Sequence, residues 1–175
     1  MKLGRSVLIG AAVLLAVPSG VQAQTTVKRF YATPNARIAN VIWVGDTLYL
    51  SGMGAKPVTP ADPTKGTPAV WGDTEQQTMG ALTAIETALK EQGLTMGDIV
   101  EMQVFMTGDP AKSGALDFAG MNAAYAKFFG TPEEPNRPVR AAGLQLEHLG
   151  NPNALVEIMT IAVRSVPAAP AAKTR

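Results

Sequence analysis

The chain has 175 residues, a formal charge of +1, no Cys and a single His. No Cys means no disulfides, thiolate chemistry or iron–sulfur ligation, and one His, His148, argues against a zinc site. A near-neutral chain without a Lys/Arg cluster also offers little to neutralise phosphates, which argues against nucleic acid as a partner.

Met1 to Ala23 read as a secretory signal peptide. Lys2 and Arg5 give a basic start, Val7 to Val17 are apolar, and Pro18, Ser19 and Gly20 break that stretch. Val21-Gln22-Ala23 then fits the small-x-small cleavage rule ahead of Gln24. The apolar stretch is too short to span a bilayer and no other run is long enough, so no membrane span is expected after the leader is removed. Residues 1–23 hold two bases and no acid, so their removal takes the formal charge from +1 to −1. The expected location is periplasmic or secreted. The mature chain reads as one domain over 24–164, large enough for a hydrophobic core, and a disordered Pro/Ala-rich tail over 165–175.

Within the domain, Val27 to Ala32 is an expected edge strand. Val41 to Val44 and Thr47 to Ser51 flank Gly45-Asp46 as a hairpin that Gly52-Met53-Gly54 closes. No helix follows this Gly-x-Gly, so it is not a phosphate loop. Four prolines between Ala55 and Gly72 exclude an internal strand or helix there, leaving a surface excursion. Asp73 and Gln76 form a capping box for a helix with Met79, Leu82, Ile85 and Leu89 as its apolar stripe and Gly93 as its stop. Ile99 to Thr107 is a strand with Val100, Met102, Val104 and Met106 on one face. A second helix is expected from about Asp117 to Phe129, its inner stripe being Phe118, Met121, Tyr125 and Phe129. Asn122 falls within that stripe, where it either locks local backbone or touches a ligand. His148 reads as a solvated turn residue.

Two final strands each carry a charge in an apolar setting. Alternation puts Arg140 in line with Leu144 and Leu146, and Glu157 in line with Leu155, Met159, Ile161 and Val163. An unpaired charge on an apolar face costs several kcal/mol. Either the two form an internal salt bridge, or Arg140 grips a carboxylate in a pocket where Glu157 handles protons. The element order is strand, hairpin, helix, strand, helix, strand, strand. It gives an α+β domain with two helices for one sheet face and none for the other, and burying the bare face against further copies is the simplest solution.

Several motifs stand in order along the chain: Gly45-Asp46 leading to Leu50-Ser51-Gly52; Gly97-Asp98-Ile99-Val100 with Val104-Phe105; and Asp117-Phe118-x-x-Met121-Asn122-x-x-Tyr125-x-x-Phe128-Phe129. Arg137-Pro138-Val139-Arg140 and Val156-Glu157-Ile158-x-x-Ile161-Ala162 complete the set. With these the chain, from about Thr26 to Arg164, resembles the Rid family of reactive-intermediate deaminases, which hydrolyse enamines and imines derived from amino acids.

The resemblance implies a chorismate-mutase-like α+β fold: one mostly antiparallel sheet, two helices on one face, and a trimeric barrel assembly with ligand clefts between subunits. It implies Arg140 as the residue that binds the substrate carboxylate and Glu157 as the one that positions water, without metal or organic cofactor. Ser51, Gly52, Asn122 and Ala142 match positions lining or supporting the cleft. Ile38 stands where the deaminases usually have a Tyr, Ala141-Ala142 replace a Ser-Cys-like pair, and Met159 replaces a second acid. The expected activity is hydrolytic deamination of small 2-imino acids. The alternative is a non-catalytic trimer that holds a small carboxylate in the same cleft.

Overall fold

The computed structural model describes residues 25–165. The expected signal peptide, residues 1–23, and the tail beyond residue 165 lie outside the described residues. The elements are β1 (Val27–Phe30), β2 (Val41–Val44), β3 (Thr47–Gly54), α1 (Thr74–Glu91), β4 (Ile99–Met106), α2 (Phe118–Tyr125), β5 (Val139–Gln145) and β6 (Val156–Val163), with short 3-10 turns at Met96–Asp98 and Pro110–Lys112. This is the order expected from the sequence.

The six strands form one sheet in the order β1-β2-β3-β6-β4-β5. Every pairing is antiparallel except β4 with β5. The last strand, β6, therefore inserts between β3 and β4, and α1 and α2 are the crossovers that the parallel steps require. The register draws one row straight across the sheet: Val41, Leu50, Thr160, Met102 and Arg140. The first four are buried, so this row marks the face the helices cover.

Helix α1 begins at the expected capping box. The Asp73 carboxylate accepts from the Gln76 N–H at 2.8 Å, and the Gln76 side chain accepts from the Asp73 N–H at 3.1 Å. Such a box satisfies two of the otherwise orphaned donors of the first turn. Leu82, Ile85 and Leu89 are fully buried, each burial being worth about 1.5–3 kcal/mol. Met79 is only half-buried, and Ala81 with Gln77 and Thr78 fill the stripe instead. The 55–72 excursion has no regular strand or helix, and the bridges Thr59 to Val70 and Asp62 to Thr67 fold it back on itself.

Two expected patterns are corrected. Val100 does not share the face of Met102, Val104 and Met106. The register of β4 on β6 slips between Ile99 and Glu101, so Ile99 is buried and Val100 is exposed. Helix α2 is shorter than expected, and its phase differs. Met121 and Ala124 are buried, whereas Phe118 is 40 % exposed and Asn122 is exposed. The cause is Gly120, at which a Cβ would come within 3.2 Å of the Glu75 main-chain nitrogen. That close approach turns the Gly120–Ala124 side of α2 toward α1 and Asn122 away from it.

Gln77 was not singled out by the periodicity. Its amide donates to the carbonyls of Gly72 and Asn153 and accepts from the Leu155 N–H at 2.8 Å, tying α1 to the entry of β6. Replacing Gln77 with Leu leaves that buried Leu155 N–H without an acceptor. Gln77→Leu is expected to cost about 3 kcal/mol, read as a lower urea midpoint with an unchanged slope.

Candidate functional site

Arg140 sits at the end of the buried row, on edge strand β5, beneath α2. Its guanidinium carbon lies 4.4 Å from the Tyr125 ring centroid, and one terminal nitrogen lies 3.5 Å from the Met121 sulfur. Tyr125 in turn packs on Phe129, with ring centroids 4.6 Å apart. Burial pushes the Tyr125 phenol above its usual pKa, and the Arg140 charge partly offsets that rise. No carboxylate pairs with Arg140 among the described residues.

Glu157 lies on the other face. Its row runs Gly54, Glu157, Phe105, Leu144, and its neighbours along that face of β6 are Met159 and Ile161. The pairing of β3 with β6 is interrupted between Leu50 and Met53, which places Ser51-Gly52 in a bulge. The Glu157 carboxylate occupies the space above Gly52, where any Cβ would collide with it. The Ser51 hydroxyl donates to the Ala39 carbonyl at 3.0 Å, and the Ser51 N–H donates to the Asn40 carbonyl at 3.0 Å. These bonds pin the segment bearing Ile38, which is 73 % exposed, against the bulge.

The expected site residues thus form two half-sites. Ser51, Gly52 and Glu157 gather at the β3 bulge, and Ile38 lies on the segment whose Ala39 and Asn40 carbonyls accept from Ser51. Arg140 joins α2, which carries Asn122 on its exposed side, and Ala142 follows on β5 opposite Val104. The structure does not bring the halves together within one chain, and Arg140 and Glu157 make no internal salt bridge.

The expected alignment of Arg140 with Leu144 and Leu146 also fails. Ala142 pairs with Val104 but Leu144 pairs with Phe105, so the strand skips a residue at Gly143 and its side chains change faces. Leu144 joins the Glu157 row, and Leu146 lies beyond the strand, also exposed.

Sequence reasoning missed the Tyr125–Met121 contact on Arg140. Both residues were read as core stripe, and the only hint was their i, i+4 spacing on the element preceding the Arg140 strand. His148 is solvated, as expected, 3.7 Å from Glu147. Among the described residues no group of three His, Cys, Asp or Glu side chains could hold a metal, and no helix is long and apolar enough to cross a membrane. A concavity of about 670 Å³ lies between Trp71, Asp109 and His148 and includes none of the expected site residues.

The fold and these half-sites define a small α+β protein whose charged groups are presented on two faces of one sheet. Residues 31–164 match the model of the family described as Endoribonuclease L-PSP, and the chain belongs to that family, which includes the Rid and RutC proteins. It is 28 % identical over 131 residues to a RutC family protein of Pyrococcus abyssi, covering 75 % of this chain and 89 % of the relative. A Pseudomonas aeruginosa protein of unknown function superposes with a TM-score of 0.62 at 26 % identity, over 80 % of this chain and 94 % of the other. Escherichia coli TdcF with bound serine does so with a TM-score of 0.56 at 28 % identity, over 74 % of this chain and 90 % of its own.

The contact between Gly52 and Glu157 gives a direct structural test. Gly52→Ala must drive the Glu157 carboxylate from its position above the bulge. A crystal structure of the variant is expected to show Glu157 in another rotamer, with stability lowered by about 1–3 kcal/mol.

Proposed function

We propose that the protein is a cofactor-independent hydrolase that deaminates small 2-imino acids and their enamine tautomers, releasing ammonia and a 2-oxo acid. One observation carries this reading. Arg140 and Glu157 stand on strands of one sheet, and neither is neutralised by an ion-pair partner among the described residues. A structural ion pair would have consumed both.

Charges on opposite faces of one sheet cannot hold the same small molecule within one chain. They can when the β5 edge of one subunit meets the bulge of β3 in a neighbour, and a homotrimer with clefts between its subunits, of the kind the family resemblance implies, would allow that arrangement. The bare face supports assembly: Tyr49, Val139, Leu144 and Met159 are 44, 72, 51 and 44 % exposed. Apolar area of that extent usually marks an interaction surface.

The chemistry derives from the two groups. The guanidinium edge of Arg140 offers paired N–H donors to the substrate carboxylate, a fork that a Lys cannot reproduce. Glu157 accepts a proton from water as its oxygen bonds to the C=N carbon, giving a carbinolamine. The nitrogen takes up that proton and then, through Glu157, the proton of the new hydroxyl as well; the C–N bond breaks, ammonia leaves and the carbonyl forms. The serine bound by TdcF carries a carboxylate and an α-nitrogen on adjacent carbons, the same spacing as in a 2-imino acid, which supports this placement. Ser51 and Gly52 set the position of Glu157, Ile38 adds an apolar wall to that half, and Asn122 and the main chain at Ala142 flank Arg140. The family's description names a ribonuclease, but a formal charge of +1 over 175 residues favours a small-molecule substrate.

Shared clefts make a decisive experiment. Arg140→Lys and Glu157→Gln are each expected to lose imine hydrolysis by about 10²–10⁴-fold while remaining folded. Unfolding the two variants together and refolding them as mixed trimers is expected to restore on the order of a quarter of wild-type activity, since a cleft needs one intact group from each side. Hydrolysis is followed with 2-iminopropanoate generated in place by an amino-acid oxidase. Mixed trimers as inactive as their parents would overturn the shared site. Glu157→Gln hydrolysing at the wild-type rate with tighter carboxylate binding would indicate a binding module instead.

We also propose that the protein acts outside the cytoplasm, on the strength of the basic, apolar and cleavage-like segments of residues 1–23. The intact mass of protein isolated from its native host is expected to begin at Gln24, and a cytosolic pool retaining Met1 would contradict this.

A further inference from the structure

We propose that Tyr125 is a positioning residue for carboxylate recognition, holding the Arg140 guanidinium in its gripping orientation before any ligand arrives. This rests on Arg140 being the carboxylate-binding group of the proposed hydrolase and adds a residue to which that reading gives no role.

An arginine side chain is long, and fixing it when a ligand binds costs conformational entropy that comes directly out of affinity. An internal acid would fix Arg140 but would also compete with the ligand for its N–H groups. The structure supplies a different restraint. Arg140 lies over the Tyr125 ring, its guanidinium carbon 4.4 Å from the centroid, and a terminal nitrogen is 3.5 Å from the Met121 sulfur. A π face attracts the cation through the ring quadrupole, and it engages the flat side of the guanidinium. Carboxylates bind the edge. The ring can therefore hold the group without using the donors that a substrate needs.

The restraint is itself anchored. Tyr125 packs on Phe129 at 4.6 Å between centroids, and Phe129 is only 5 % exposed. Met121 and Tyr125 are one helical turn apart, so α2 meets Arg140 with two side chains from one face. The α2 N-terminus is fixed by Asp117, which accepts from the Gly120 N–H at 3.0 Å and pairs with Lys112 at 3.3 Å. The line of support runs from Asp117 and Phe129, through Tyr125, to the guanidinium. The Tyr125 hydroxyl makes no hydrogen bond within the described residues, so what Tyr125 contributes comes from its ring, beside the Met121 sulfur contact.

The ring and the hydroxyl are separated by two substitutions. Tyr125→Phe keeps the π face and is expected to match the wild type. Tyr125→Leu removes it and is expected to weaken pyruvate binding and raise the KM for 2-iminopropanoate by roughly 3- to 30-fold. With kcat little changed, this is the signature of lost uniform binding. NMR supplies a readout independent of activity. The Arg140 side-chain protons should be ring-current shifted in the wild type and in Tyr125→Phe, and unshifted in Tyr125→Leu. If Tyr125→Leu does not fold, Tyr125→Met takes its place.

Loss of the shift without loss of affinity would overturn the positioning role, as would Tyr125→Phe weakening binding as much as Tyr125→Leu. Failure of the underlying reading looks different. In that case Arg140→Lys leaves pyruvate affinity unchanged, whatever the Tyr125 variants do.

Discussion

The structure depends on the insertion of β6 between β3 and β4. That strand is hydrogen-bonded on both sides, and its alternate residues Val156, Ile158, Thr160 and Ala162 are all buried beneath the helices. Because a strand's side chains alternate strictly, burying these four commits Glu157, Met159, Ile161 and Val163 to the opposite face. The position of the acid is thus a by-product of core formation. No local device is needed to aim it, and the bulge at Ser51-Gly52 has only to leave room.

Two irregularities then decide how the charges are distributed. The slip at Gly143 keeps Arg140 on the helix side while sending Leu144 to the bare side. The slip between Leu50 and Met53 makes the space that Glu157 fills. A perfectly regular sheet with this sequence would have neither property. Bulges are often found beside functional sites because they re-aim a side chain without changing the fold around them, and here each of the two accompanies one half of the site.

The sequence was most legible where a rule acts over short range. The capping box at Asp73 and Gln76, the hairpin turn at Gly45-Asp46 and the order of elements were all readable because they depend on neighbours in the chain. The charged pair was also visible, since Arg140 and Glu157 interrupt otherwise apolar runs. What could not be read was phase. Val100 and Leu144 change faces because one extra residue enters a ladder, and nothing in an alternating pattern announces that residue. Asn122 was misplaced for a related reason: the face of α2 that turns inward is chosen by the close approach of Gly120 to α1, a contact between segments some 45 residues apart. Tyr125 escaped notice because a cation–π contact leaves no signature in periodicity, and an aromatic on a core stripe is ordinary.

The edge strands have a consequence for how safely this chain folds. An open sheet ends in two rows of unpaired backbone groups, and such rows invite pairing with other chains. β1 answers this with Lys28 and Arg29 at its centre and exposure along its whole length. β5 has no comparable run of charge. Its register breaks at Gly143, and a bulge of this kind spoils the flat template that a second chain would need whenever the edge is uncovered. The same residue that puts Leu144 on the far side of the sheet therefore also guards the edge against fibril-like growth. A substitution that ironed out this kink could leave a soluble-looking fold with a new tendency to aggregate.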